Sequence, residues 1–347
     1  MLYIHQISCV SPQQTFLDAD LNIFHESVEN KLKVIEPTYE GIPANNLRRM
    51  GKAVRISVGA ALPILKKNTP LNGIIIGTAN GGMEDCIKFM NQIIQYNEGL
   101  LTPGNFVQST PNGIAAQLGL SQHNTGYNIT HVHRGLSFEN AAIDAMMLLE
   151  EFPKNAYLLG AADEISTYNY NVDFLGGWYK KETVSNKNLY EVDSPASIAG
   201  EGAVMFLVNA EKTKAIAQIK AIHTIHSEDV NFVMQELKLF LEKHLKNDAP
   251  EILITGENGD NRFLKYYKAA EKSMDNKTGI LRYKHMSGEY PTASSQAVWL
   301  ACNILQTQTF PEHAVKRKSA NPPVKTILIY NNYKGVQHSF MLVSHPE

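Results

Sequence analysis

The sequence predicts an α/β protein made of layered strands and helices, and three observations lead there. Short apolar runs ending at or near glycine recur along the chain. Amphipathic stretches separate them. A strand, a helix and a glycine-bearing loop then recur after a change of style at residues 209–217. Short apolar runs bounded by turn residues mark strands buried on both faces, and strands that alternate with helices call for parallel crossovers.

In chain order, the segment from Leu2 to Pro12 lacks a basic start and a long apolar core, so it reads as a first strand and not a signal peptide. Ile74-Ile75-Ile76-Gly77 and Ala156-Tyr157-Leu158-Leu159-Gly160 read as buried parallel strands, followed by Ala203 to Val208. Glu228 to Lys246 places Val230, Val233, Leu237, Leu241 and Leu245 on one helical face, with Ser227 as N-cap. Glu251 to Ile254 and Thr326 to Tyr330 complete the strands. Lys316-Arg317-Lys318 and Pro322-Pro323 read as an exposed loop before the last strand. Two α/β halves are expected, residues 1–210 and 211–347.

At 347 residues the chain can bury a sizeable core, and its 44% hydrophobic and 19% charged content is that of a globular protein. A formal net charge of −2 gives no global field suited to nucleic acid. No apolar run reaches the length of a membrane span. Cys9, Cys86 and Cys302 are scattered without C-x-x-C spacing, so a reduced, cytoplasmic protein is expected.

Three local patterns invite functional readings. Gly77-Thr78-Ala79-Asn80-Gly81-Gly82 fits neither glycine-rich phosphate motif and reads as a tight turn. His131 and His133 would share a face if extended, and Glu257 or Glu289 could join them on a metal. Without a defined third ligand, hydrogen-bonded histidines and no metal are expected. Ser137 lies at a turn onto a helix, as hydrolase nucleophiles do. Arg134-Gly135-Leu136-Ser137-Phe138 is not G-x-S-x-G, however, and an N-cap is expected.

Several ordered segments resemble the β-ketoacyl synthases of the thiolase fold. They are Leu2 to Pro12, the basic Leu47 to Lys52, Gly77 to Glu84, Leu101 to Asn112 and Gly200-Glu201-Gly202-Ala203. The resemblance implies a five-layered αβαβα fold of two similar halves. It also implies where the reactive groups should lie, and there the chain departs from the pattern. The nucleophilic Cys falls at Leu136 counted back from Gly160, or at Gly135 counted forward from Gly126. The first His falls at Thr255. In Lys284-His285-Met286-Ser287-Gly288-Glu289, similar to the family's Lys-x-Met-x-Gly-His, the second His is Glu289 and Lys284 is retained. Tyr333 takes the place of the gating Phe.

A condensing enzyme needs a neutral imidazole to donate to the thioester enolate. An ionised carboxylate only accepts and would repel that charge. The resemblance therefore implies a subunit without the Cys-His-His triad, of the chain-length-factor type. Such a subunit pairs with an active ketosynthase in fatty-acid-like, polyketide or aryl-polyene-type assembly on an acyl carrier protein, with no cofactor. Glu289 and Lys284 are expected to form an ion pair filling the vacated site. Candidate tunnel walls are Thr110, Pro111, Phe138 and Tyr333. Arg48, Arg49 and Lys52 are candidate carrier-protein contacts. In the family, dimers join through the strand after the nucleophile helix, here Ala156 to Gly160. The alternatives are an acyltransferase or hydrolase using Ser137, Glu289 or His133, and a homodimeric acyl-binding protein.

Overall fold

The computed structural model describes residues 1–67, 70–246, 248–319 and 323–346. The first part of the chain runs β1 (Leu2–Val10), β2 (Lys31–Leu32), α1 (Ala44–Leu47), α2 (Lys52–Leu65), β3 (Gly73–Gly77), α3 (Met83–Gln95), α4 (Pro103–Gln108), α5 (Gly113–Ser121), β4 (Tyr127–His131), α6 (Ser137–Glu151), β5 (Ala156–Asp163), α7 (Thr167–Leu175), β6 (Ala199–Gly200) and β7 (Gly202–Asn209). It continues through β8 (Ala217–His226), α8 (Val230–Leu245), β9 (Ile252–Thr255), α9 (Leu264–Lys272), β10 (Gly279–Arg282), α10 (Lys284–Ser287), α11 (Ser294–Thr307), β11 (Val315–Arg317), β12 (Thr326–Tyr333) and β13 (Gln337–Ser344).

Among the described residues the long strands hydrogen-bond in the order β11-β10-β9-β12-β13-β8-β1-β7-β5-β3-β4. Two five-stranded sets share one connectivity. In the first, β4, β3 and β5 are parallel, and β7 is antiparallel to both β5 and β1. In the second, β10, β9 and β12 are parallel, and β13 is antiparallel to both β12 and β8. Leu2–Ile4 of β1 pair with residues 217–219 of β8 and join the sets.

The layers follow from which helices bury the most of their surface. α11 is buried nearly all round and α6 along the side that carries Phe138, Ala141, Ala142, Ala145 and Leu149, so they form the central layer between the sheets. α2 and α5 cover the outer face of the first sheet, and α8 and α9 that of the second. The alternation of side chains along β3 shows the division: Ile75 points to the central layer, Ile74 and Ile76 to the outer one. The expected α/β/α/β/α architecture is present.

Four local expectations are corrected. Asp229, not Ser227, caps α8: its side chain accepts from the Asn231 N–H, while Ser227 Oγ accepts from the Asp229 N–H. Thr326 to Tyr330 is not the last strand, because the chain turns at Lys334 and Gly335 into β13. Lys316 and Arg317 are not loop residues but form edge strand β11, and Lys316 Nζ pairs with Glu257 and Glu271, each at 2.7 Å. Pro322 lies outside the described residues. Finally, β5 has β3 on one side and β7 on the other, so Ala156 to Gly160 has no free edge. The open edge is β4, which precedes α6.

Candidate functional site

Gly135, Leu136 and Ser137 lie where β4 turns into α6, and Tyr333 packs against Gly135. β4 leads through a tight turn, Arg134–Leu136, into α6. Ser137 is the first residue of that helix and not its N-cap, a position Leu136 holds. Its buried hydroxyl is spent locally: Ser137 Oγ accepts from the His133 N–H at 2.8 Å and donates to the Arg134 carbonyl at 2.9 Å. The ring of His133 turns outward to Asn140 at 2.8 Å, and His131 meets Asp144 at 3.0 Å. Ser137 therefore has no imidazole base, and the two histidines do not converge. Among the described residues no group of three His, Cys, Asp or Glu side chains could hold a metal.

The space above the elbow is filled. Tyr333, the last residue of β12, is buried directly against Gly135: a Cβ on Gly135 would lie 2.2 Å from the Tyr333 Cβ and 2.4 Å from its Cγ. Leu136 is buried as well. Thr255, at the end of β9, is fully buried and donates to the Leu281 carbonyl at 3.4 Å. Glu289 Oε1 accepts from Lys284 Nζ at 2.7 Å, and Glu289 Oε2 from Asn258 Nδ2 at 2.7 Å. The expected ion pair is formed, and both carboxylate oxygens are occupied. What remains is a cavity of about 20 Å³ bounded by Trp178, Asn258, Glu289 and Tyr333, room for about one water molecule.

The mouth of this cleft is closed by stacked cations and rings. Lys334 Nζ lies 4.6 Å from the Trp178 ring and pairs with Asp173 at 2.6 Å. The Arg262 guanidinium also lies 4.8 Å from the Trp178 ring and pairs with Asp260 at 2.6 Å. Neither cysteine of the core substitutes for a nucleophile. Cys9 and Cys302 are buried free thiols, and burial pushes Cys9 up to about 12, which leaves it protonated.

The four candidate tunnel residues do not line one passage. Phe138 is fully buried in the central layer, 5.9 Å from the Phe206 ring. Thr110 and Pro111 lie in the turn between α4 and α5, at the surface. Tyr333 alone of the four borders the residual cavity. Of the basic cluster, Arg48 and Arg49 are exposed beside a surface cleft of about 850 Å³. Lys52 is not free: its Nζ pairs with buried Glu201 at 2.5 Å.

Sequence reasoning missed the exposed apolar face of α3, α4 and α7, where α3 packs against the other two. No residue of α3 or α4 is buried. Ile94 is 75% exposed, Leu100 85%, Val107 68%, and Val172 on α7 69%. The spacing of Ile87, Met90 and Ile94 was the available signal, because an apolar stripe at helical period needs cover.

Comparison with known proteins agrees with this geometry. Residues 25–173 match the beta-ketoacyl synthase N-terminal domain family. No curated protein matches the sequence. A beta-ketoacyl synthase from Burkholderia phymatum superposes with a TM-score of 0.76 at 14% identity, over 100% of this chain and 99% of that one. A ketosynthase in complex with its chain length factor from Xenorhabdus doucetiae gives 0.74 at 11% identity, over 99% and 98%. A type II PKS acyl-carrier protein in complex with its ketosynthase gives 0.73 at 14%, over 99% of each chain. Residues 25–173 thus resemble the N-terminal domain of beta-ketoacyl synthases, and the chain as a whole has the thiolase-like fold of these neighbours. Among the described residues, no helix is long and apolar enough to cross a membrane.

Proposed function

We propose that the chain is a non-catalytic, chain-length-factor-type partner of an active β-ketoacyl synthase, acting in the assembly of a chain carried by an acyl carrier protein. One observation carries this reading: Tyr333 fills the volume over the elbow where a condensing enzyme keeps its nucleophile accessible. Decarboxylative condensation needs a thiolate to hold the acyl group and neutral imidazoles to stabilise the enolate. At the matching positions stand Gly135 or Leu136, Thr255 and Glu289, all buried.

The proposed docking surface for the ketosynthase takes in the open edge of β4 and the exposed apolar side chains of α3, α4 and α7. An unpaired edge and exposed apolar side chains are each unfavourable in water, and the edge favours a sheet continued across an interface. The neighbours of this fold include a ketosynthase with its chain length factor and one with a carrier protein, which supports this choice of partners. Thr110 and Pro111 are the candidate tunnel residues that such a face would hold. Arg48 and Arg49 are the cations left to steer an acidic carrier, while Lys52 supports Glu201. Three free thiols suit a reducing cytoplasm.

Co-expression with an active ketosynthase that retains Cys, His and His tests the reading. The expected result is a stable pair whose condensing activity is lost when the ketosynthase Cys is replaced and unchanged by Ser137→Ala. Condensation or acyl transfer by this chain alone, or acyl labelling of Ser137, would refute it.

A further inference from the structure

The elbow between β4 and α6 carries a left-handed backbone at Arg134, φ +51°. Residues with a Cβ rarely adopt this conformation, and glycine adopts it freely. A long side chain kept at such a position calls for a use. The Arg134 side chain is exposed, and its Nη1 donates to Asn80 Oδ1 at 3.0 Å. Asn80 sits on a turn fixed from the core. Its own N–H and that of Ala79 donate to Asp163 Oδ1 at 2.9 and 3.0 Å, and Thr292 Oγ1 donates to Asp163 Oδ2 at 2.8 Å. Among the described residues no carboxylate of this chain pairs with Arg134. The guanidinium is thus seated on rigid support, with Nη1 spent on Asn80 and the residue exposed.

Its place in the molecule says what the fork meets. Val132, 51% exposed, and exposed His133 lead directly from the open edge of β4 to Arg134. We propose that Arg134 is the specificity-determining charge of the face that receives the active ketosynthase, its guanidinium pairing with a carboxylate of that subunit. This rests on the pairing proposed above. A planar fork binds a carboxylate through two parallel hydrogen bonds, and support prepared in advance reduces the ordering cost of binding.

The same residue disfavours a second copy of this chain. Antiparallel self-pairing centred on Ile129, the middle of β4, sets Arg134 opposite Asn124. The stretch from Gln122 to Asn128 contains no carboxylate. Asp144, behind the edge, is already taken by Tyr127 at 3.1 Å and His131 at 3.0 Å. A self-pair would leave the charge unanswered along the strand, whereas a different chain can supply the acid.

The test uses the full chain with its co-expressed ketosynthase, and the wild-type pair is measured first. Arg134→Gly removes both the backbone strain and the charge. It should raise the melting temperature of the isolated chain while weakening the pair about tenfold or more in Kd, the loss expected of an interface arginine. Arg134→Lys keeps the charge without the fork and should fall between. A glycine variant that pairs as tightly as wild type overturns the assignment, and so does one that merely loses stability, since Arg134 would then be an internal support. If the wild-type chain binds no ketosynthase, the pairing reading itself fails and takes this inference with it.

Discussion

Gly135 and Tyr333 occupy each other's space: a Cβ on the glycine would come within 2.2 Å of the tyrosine Cβ. The position opposite the ring accepts a hydrogen atom and nothing larger. Gly135→Cys should therefore destabilise the fold by about 1–3 kcal/mol or more, as overpacking does. Tyr333→Ala alone should also destabilise, by opening a cavity. Combining the two should cost less than their sum, because the cysteine would then have room. Denaturant midpoints of the four proteins measure this. Strictly additive losses would show that the two residues are not in contact.

Lys284 and Glu289 form a buried pair at 2.7 Å. Breaking such a pair by removing one partner leaves a charge without compensation and costs about 3–5 kcal/mol. Lys284→Met and Glu289→Leu should each be severe. The double variant should recover much of the loss, since both charges are gone. Asn258 would still lose its acceptor, which keeps recovery incomplete. A double variant as unstable as the worse single would contradict this account. Glu289→His should not confer condensing activity, because the nucleophile position stays filled.

Stability should fall on acidification through the histidines of the second half. His285 is buried between the Tyr190 hydroxyl, 3.2 Å from Nδ1, and His313, 2.8 Å from Nε2. Burial, then the charges of His313 and Arg282, push its imidazole down to about 3, and burial pushes His338 down to about 4. An unfolded histidine takes its proton at about 6.5. Below that pH the unfolded chain binds protons that the folded one refuses, so stability is lost as pH falls from about 6.5 towards 3. Glu164 acts in the opposite sense. Burial pushes its carboxyl up to about 7, so the folded chain gains from protonation there as pH falls from 7 to about 4.3. Melting curves between pH 7 and 4 should show wild type losing more than His285→Asn. Parallel losses would place the pH dependence elsewhere.

Ser137→Ala should cost on the order of 1 kcal/mol, the loss of a hydroxyl that satisfies two backbone groups at a helix start. It should alter no rate of the assembled pair, and a serine-directed electrophile should leave Ser137 unmodified. Labelling there would reveal an exposed, activated hydroxyl and contradict its burial.

Some of this was legible in the sequence. Apolar runs such as Ile74 to Gly77 and Ala203 to Val208 report burial on both faces, and each of the six segments read as strands from the sequence contains one. The Lys284–Glu289 contact followed from the spacing of two opposite charges at a motif. The lateral order of strands was not legible, because an apolar run says that a strand is covered without saying by what. The family resemblance put Ala156 to Gly160 at an interface, and nothing in its own apolar run says that it sits mid-sheet. β4, with only half-buried and exposed residues in Tyr127–His131, gave no apolar run to notice. The plug was also hidden, since nothing local to Tyr333 announces that its ring rests on a glycine nearly two hundred residues earlier in the chain.

β11 gives the assembly an end. It lies antiparallel along β10 for only a few residues, with Lys316 and Arg317 on it, at the far limit of the strand order from β4. A short, charged border resists further strand addition. With one inviting border and one guarded border, neighbours can accrue on a single side only. Growth halts once that side is taken, so this architecture favours discrete pairs over filaments.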